Sequence, residues 1–365
     1  MKAVRIAVIT AIGGAVLAVP APARAAGLGG YTLTASAAPV AVQVFEPTIP
    51  IPASPQLELN LSYSRARLES GPVGQALSSL AWPGDGVGYG LPTLLKNPDA
   101  TYPVKVEASA PGGPADARQE PVPGTGMSTH ADGSSVRASA YLAKPSTPAL
   151  PTLPPPGVTV PTALVSTESV SSQSQASVAS DKVTATAYAT AGSVSLLGGL
   201  VKVDGLRTDT EADSDGTRGT GTGSVTWQSL TVAGQPIAVN QDGVASPLGV
   251  TALPALPAVA SNALADLGLS LSAPTVTKTG GAVTGRGLTL TVDTSVLRNK
   301  LGLGALLDPV LALLPADLST QLTPWLNVAP KLVFILGTAT SQASATTAAT
   351  GGAAPPPATG PGGGS

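Results

Sequence analysis

The chain has 365 residues, with 42 Gly and 36 Pro, 43% hydrophobic, 3% aromatic and 11% charged residues, and a formal net charge of −2. It contains no Cys and one His, so disulfide cross-links are excluded and a structural zinc site is not expected. A near-neutral, slightly acidic charge without a basic, aromatic-interleaved cluster also argues against a nucleic-acid partner.

The first 25 residues read as a cleaved export signal. Lys2 and Arg5 form a basic start, Ile6 to Val19 is uncharged and apolar, and Ala23-Arg24-Ala25 fits a peptidase site. The apolar run is short of the roughly 20 residues that span a bilayer. No transmembrane span is expected after its removal. Losing Lys2, Arg5 and Arg24 would leave 16 Lys+Arg against 21 Asp+Glu, a net charge of −5. The expected address is extracellular.

The expected body covers residues 26–347, with a Pro/Gly tail at 348–365 that should be disordered. Strands are expected at Tyr31–Ala37 and Val40–Phe45, followed by a Pro-rich irregular stretch from Glu46 to Pro55. Gln56 to Glu69 alternates Leu57, Leu59 and Leu61 against Glu58, Asn60 and Ser62, the pattern of a half-buried strand. Gly71 to Trp82 reads as a short helix or tight crossing, and Pro83-Gly84-Asp85-Gly86 as a turn. Tyr102–Ala110 is expected as a strand, 111–126 as a Pro/Gly-rich loop, and Val136–Leu142 as strand again. Seven prolines crowd 144–161. We expect a stiff excursion there, with strands on both sides joining one sheet or two sub-domains around it.

The longest alternating stretch is Asp181–Val239. Val183, Ala185, Ala187, Ala189 and Ala191 form one face, and Thr184, Thr186, Tyr188 and Thr190 the other. Such an Ala stripe permits very close packing by whatever covers it. Gly198-Gly199 allows a reorientation. Leu206–Ala212 and the run through Val225, Trp227 and Ser229 continue a meander, with a turn expected at 213–216. In the last third, a helix is expected at 257–268 and an apolar, Gly/Pro-interrupted helical region at 295–326. Strands around Gly280-Gly281 suggest a hairpin, and Lys331–Gly337 a buried strand that continues to Thr347. The fold class is thus mainly β: a large antiparallel sheet, sandwich-like or strongly curved, with a few short helices in the C-terminal third. The alternative is α+β. A likeness in texture between 69–80 and 190–200 raises a duplicated strand-and-turn unit as a further expectation.

Candidate chemistry is sparse, and no catalytic residue and no cofactor are assigned. His130 lies near Ser128 and Asp132, but no G-x-S-x-G elbow is present and an exposed loop histidine is the expected role. Asp209, Glu211, Asp213 and Asp215 are spaced by two and are a weak Ca²⁺ candidate. An EF-hand count from Glu211 puts Thr222 at the twelfth position, where Glu is required, so a solvated, charged strand is favoured. Asn60-Leu61-Ser62 fits a glycosylation sequon in an unsuitable strand setting. Few Trp and Tyr are available as stacking platforms for a sugar.

The segments Gly71–Asp85, Gly192–Val201, Val232–Pro236 and Gly287–Asp293 resemble the choice-of-anchor P group of secreted bacterial proteins. The resemblance implies an exported β-rich body with a variable C-terminal anchor and carries no assigned activity or catalytic residues. No LPxTG-type signal or apolar anchor follows Thr347, so release, or loose wall association, is expected. The expected function is a non-enzymatic binding or structural envelope protein with an unidentified surface or envelope partner. The alternative is an extracellular carrier of a lipid or other hydrophobic ligand, motivated by apolar 301–326 beside the Ala-faced sheet.

Overall fold

The computed structural model describes residues 27–46, 54–143, 165–237, 264–265, 268–294 and 330–348. The expected signal segment, the Pro-rich stretch at 144–161, the helical region at 295–326, most of 257–268 and the tail from 349 lie outside them.

Among the described residues, alternation along the chain builds two nine-stranded antiparallel sheets. The first sheet takes strands from both ends of the chain. Its N-terminal strands are β1 (Leu28–Phe45), β2 (Leu57–Glu69), β3 (Val73–Trp82) and β4 (Val106–Ala110). Its C-terminal strands are β14 (Leu269–Ser272), β15 (Thr275–Thr279), β16 (Ala282–Arg286), β17 (Thr289–Asp293) and β18 (Lys331–Thr347). The main path runs β14-β17-β18-β1-β2-β3-β4. The second sheet is contiguous in sequence: β5 (Asp116–Gln119), β6 (Thr125–Ala131), β7 (Ser135–Leu142), β8 (Val165–Val178), β9 (Val183–Leu196), β10 (Val201–Ser214), β11 (Gly219–Thr226), β12 (Ser229–Val232) and β13 (Gln235–Ile237). It runs β13-β12-β10-β9-β8-β7-β6-β5, with β11 also on β10.

The sheets pack face to face, strand over strand, as a sandwich. β18 covers β10 and β9, β1 covers β9 and β8, β2 covers β8 and β7, and β3 covers β7 and β6. The Asp181–Val239 stretch therefore supplies the middle of the second sheet. Its Ala stripe faces β1 and β18, buried from Val183 to Ala191, while Thr184, Thr186, Tyr188 and Thr190 line the outer face.

A crease crosses both sheets and divides the interior. Positive φ at Ser62 (52°), Ser169 (42°), Gly205 (62°) and Gly337 (76°) interrupts the pairing at one level of the sandwich. On one side lie large apolar side chains, among them Val40, Val42, Leu196, Val203, Leu332 and Phe334. On the other lie Ala35, Ala37, Ala66, Ala185, Ala187 and Ala339. In this second half the sheets approach closely enough for short side chains to bond across. Ser64 Oγ and Ser174 Oγ lie 2.8 Å apart, and Ser174 Oγ also donates to the Ser64 carbonyl at 3.1 Å. Ser341 Oγ donates to the Thr210 carbonyl at 3.1 Å. A serine has little reach, so these bonds place the sheets well inside the ~10 Å of an ordinary sandwich.

Several expectations need correction. Within Gly71–Trp82, expected as a short helix or tight crossing, Val73–Trp82 is strand β3. Its inward residues Gly74, Ala76 and Ser78 are small because β6 and β7 lie against them, and a Cβ on Gly74 would sit 2.8 Å from Val136 Cγ2. The 111–126 segment is not loop throughout, because β5 forms an edge strand within it. The turn expected at 213–216 falls at Asp215–Arg218, after β10 has run to Ser214. The 69–80 and 190–200 segments fall on different elements: the first holds a turn and most of β3, the second the end of β9 and a 3₁₀ turn at Leu197–Gly199. The Gly280-Gly281 hairpin is nested, β15–β16 across the turn and β14–β17 outside it. Two described short helices, α1 (Asp85–Gly88) and α2 (Leu91–Leu94), connect β3 to β4; the helices expected at 257–268 and 295–326 lie outside the described residues, apart from the helical pair Leu264 and Ala265. β18 runs the full expected length, pairing with β1 from Lys331 to Thr347. β7 and β8, which flank the Pro-rich stretch, pair directly with each other.

Candidate functional site

The described helices matter because they stand over the outer face of the first sheet. Across that face, register sets Thr34 beside Arg67, Arg67 beside Gln75, and Gln75 beside Ser109. One row along the strands, Arg65 lies beside Leu77 and Leu77 beside Glu107. Between these rows and the α1 segment lies a groove of about 620 Å³, with Asp85 and Tyr89 on its wall.

The wall is fixed by an aromatic cluster. Trp82 is 1% exposed at the end of β3. It stacks on Tyr63 at 6.3 Å and meets Tyr89 and Tyr102 edge-on at 5.3 and 5.7 Å. Its indole Nε1 donates to Asp85 Oδ1 at 3.2 Å, and the Tyr102 hydroxyl donates to the Ala81 carbonyl. Gly88 lets the α1 turn lie on the indole, since a Cβ there would come within 2.2 Å of the ring. Burial pushes the Tyr63 and Tyr102 phenols up to about 12, so both stay neutral.

A chain of charged groups lines the groove in front of this cluster. Arg65 donates to both oxygens of Asp85 at 2.9 and 2.7 Å and to the Tyr89 hydroxyl at 3.0 Å. That hydroxyl donates onward to Glu107 Oε1 at 2.8 Å, and Lys105 Nζ donates to Glu107 Oε2 at 2.7 Å. Lys105 and Arg65 also sit 4.7 and 5.9 Å from the Tyr89 ring centroid. Burial first, then the bond to Glu107, raises the Tyr89 phenol well above its ordinary range. The two carboxylates spend their lone pairs on these donors. By contrast, the Arg67 side chain makes only a 3.5 Å ion pair with Glu69, and the Gln75 side-chain amide makes no hydrogen bond among the described residues. These two are the hydrogen-bonding forks that remain open to a ligand.

The residues singled out from the sequence lie elsewhere. His130 is on β6, on the outer face of the second sheet, between two carboxylates: Nδ1 is 2.8 Å from Asp116 Oδ1 and Nε2 3.2 Å from Asp132 Oδ2. Bonds to Asp116 and Asp132 raise its pKa. Asp132 is held well below the usual carboxylate range by the Ser134 backbone N–H first, then by His130, the Ser135 N–H and the Ser134 hydroxyl. Ser128 Oγ bonds Ser139 Oγ at 2.8 Å rather than the histidine. Asp209, Glu211 and Asp213 share the outer face of β10. Asp209 binds Arg207 through two oxygens at 2.7 and 2.8 Å. Asp213 accepts from Thr184 Oγ1 at 2.8 Å and lies 3.0 Å from Lys182 Nζ. Asp215 caps its own turn, accepting from the Thr217 and Arg218 backbone at 2.8 and 2.7 Å. Among the described residues, no group of three or more His, Cys, Asp or Glu converges as a metal site would require. Asn60 is buried and donates to Glu58 Oε1 at 2.7 Å, so its amide does not face outward as a sequon requires.

None of the groove residues was singled out for chemistry from the sequence. The one available signal was local: of three Trp and six Tyr in the chain, Tyr63, Trp82, Tyr89 and Tyr102 fall close together.

What the fold and the site define is a two-sheet antiparallel sandwich carrying a polar, aromatic-walled groove on one outer face. No family model, no curated protein and no solved structure matches the chain. No helix among the described residues is long and apolar enough to cross a membrane.

Proposed function

We propose that this chain is an exported, non-enzymatic protein that works by binding at the cell surface or in the surrounding medium, through the groove on the first sheet. The observation that carries this reading is the arrangement of Arg65, Asp85, Tyr89, Glu107 and Lys105. Each polar group is held by the next, which pre-organises a rigid recognition wall, while Arg67 and Gln75 stay open. The export address is supported by the basic-then-apolar start and the Ala23-Arg24-Ala25 site, and it agrees with the resemblance to the choice-of-anchor P group.

The carrier reading draws no support from the space between the sheets. In the Ala-lined half, serine and threonine hydroxyls bond across the interface and leave no lumen for an acyl chain. The apolar 301–326 segment that motivated it lies outside the described residues.

Co-sedimentation with isolated envelopes tests the proposal. The native protein should pellet with envelopes, and the Arg67→Ala variant should remain in the supernatant. Equal retention of both would remove the groove from the function. Bound lipid released from protein purified from medium would favour the carrier instead.

A further inference from the structure

We infer that the groove takes a neutral glycan chain, laid across strands β1 to β4. This deepens the binding function proposed above and rests on it. Three observations lead to this ligand class.

The first is charge. The charged groups of the groove and their direct ion-pair partners are Arg65, Arg67 and Lys105 against Asp85, Glu107 and Glu69, three cations and three anions. Arg65 and Glu107 are committed to partners, so the site offers no net attraction to a polyanion or polycation. The second is the open hydrogen-bonding set. Arg67 presents paired donors, and Gln75 a donor beside an acceptor. Such forks match neighbouring hydroxyls, each of which both gives and accepts a hydrogen bond. A lipid tail would have to lie against four charged side chains, Arg65, Arg67, Asp85 and Glu107. A peptide strand would seek a sheet edge rather than this closed face. The third is shape. The row Thr34–Arg67–Gln75–Ser109 crosses four strands, roughly 14 Å at the ~4.8 Å strand spacing, which suits a short oligosaccharide stretch. Tyr89, which lines the groove, is 45% exposed.

The test uses the full mature protein with four neutral polymers (dextran, laminarin, soluble xylan and galactomannan) and two anionic ones (polygalacturonate and alginate), by isothermal titration. At least one neutral polymer should bind with a Kd between about 10 μM and 1 mM. Arg67→Ala and Gln75→Ala should each weaken it about tenfold or more, a loss of about 1.4 kcal/mol. Gln175→Ala, on the opposite outer face, should leave it unchanged. Raising salt should alter the neutral affinity less than about twofold, because no net charge is neutralised. Arg67 and Gln75 are exposed, so the variants should keep the native circular dichroism spectrum and melting temperature.

Binding by none of the neutral polymers overturns the inference. So does binding confined to the anionic polymers and lost in salt, or neutral binding indifferent to both substitutions. Release of reducing ends from the bound polymer would instead overturn the non-enzymatic reading and leave the groove as the glycan site.

Discussion

Replacing Trp82 by Ala tests whether the groove wall is a real packed unit. The indole is 1% exposed and contacts three tyrosine rings. Truncating a buried Trp to Ala costs about 3–5 kcal/mol, and each aromatic pair contributes about 0.5–1.5 kcal/mol beyond its buried area. The indole also donates to Asp85. The α1 segment can settle only partly into the gap, because Arg65 anchors Asp85 and Tyr102 anchors to Ala81. The expected loss is therefore about 4 kcal/mol, near a thousandfold in the folding equilibrium. Trp82→Phe keeps most of the packing but drops the indole donor, for about 1–2 kcal/mol. Guanidinium unfolding followed by far-ultraviolet circular dichroism reads both, with m-values checked for equality. A loss below about 1 kcal/mol for Trp82→Ala would refute the reasoning, since it would mean the ring supports nothing.

Other expectations follow from the same geometry. Ala185→Leu should destabilise by about 1–3 kcal/mol or block folding, because the Ala-lined half has no room for added methylenes; unchanged unfolding would mean the sheets are further apart than described. Gly88→Ala should lower the melting temperature and weaken groove binding together, as its Cβ would press on the Trp82 ring. His130 should titrate above 6.5 by NMR, and Asp116→Asn should lower its midpoint. Because the folded value is raised, its stabilising effect is complete below the unfolded pKa and is lost as pH rises through the folded one. The Asp132 effect has the opposite sign, present above 3.8 and lost as pH falls through its depressed folded value. Millimolar Ca²⁺ should leave the melting temperature unchanged, since Asp209, Asp213 and Asp215 each serve a nearer partner; a rise of several degrees would restore the metal candidate.

The central strands were legible because alternation there is explicit. In β9 the Ala stripe and the Thr face are separated residue by residue, and the structure buries the first and leaves the second outside. Strand β3 was not legible for a physical reason. Its inward residues are Gly74, Ala76 and Ser78, and apolar Leu77 points outward beneath the α1–α2 segment, so the usual contrast between faces is inverted. The groove was harder still. Arg65 and Asp85 are 20 residues apart and Tyr89 and Glu107 are 18 apart. They meet because β2–β3–β4 register and the Trp82 anchor place them together, and neither is written in local spacing. The acidic run on β10 shows the converse. Its spacing by two puts Asp209, Glu211 and Asp213 on one face, yet Arg207 and Lys182 answer two of those charges from the same surface.

Hydrogen–deuterium exchange in the presence of a neutral polymer tests the binding role of the groove most directly. Added protection should be confined to peptides covering 63–77 and 85–109, with the second sheet's outer face at 171–190 unchanged. Protection on 171–190 with none at 63–77 would contradict it and move the binding surface to the other side of the sandwich.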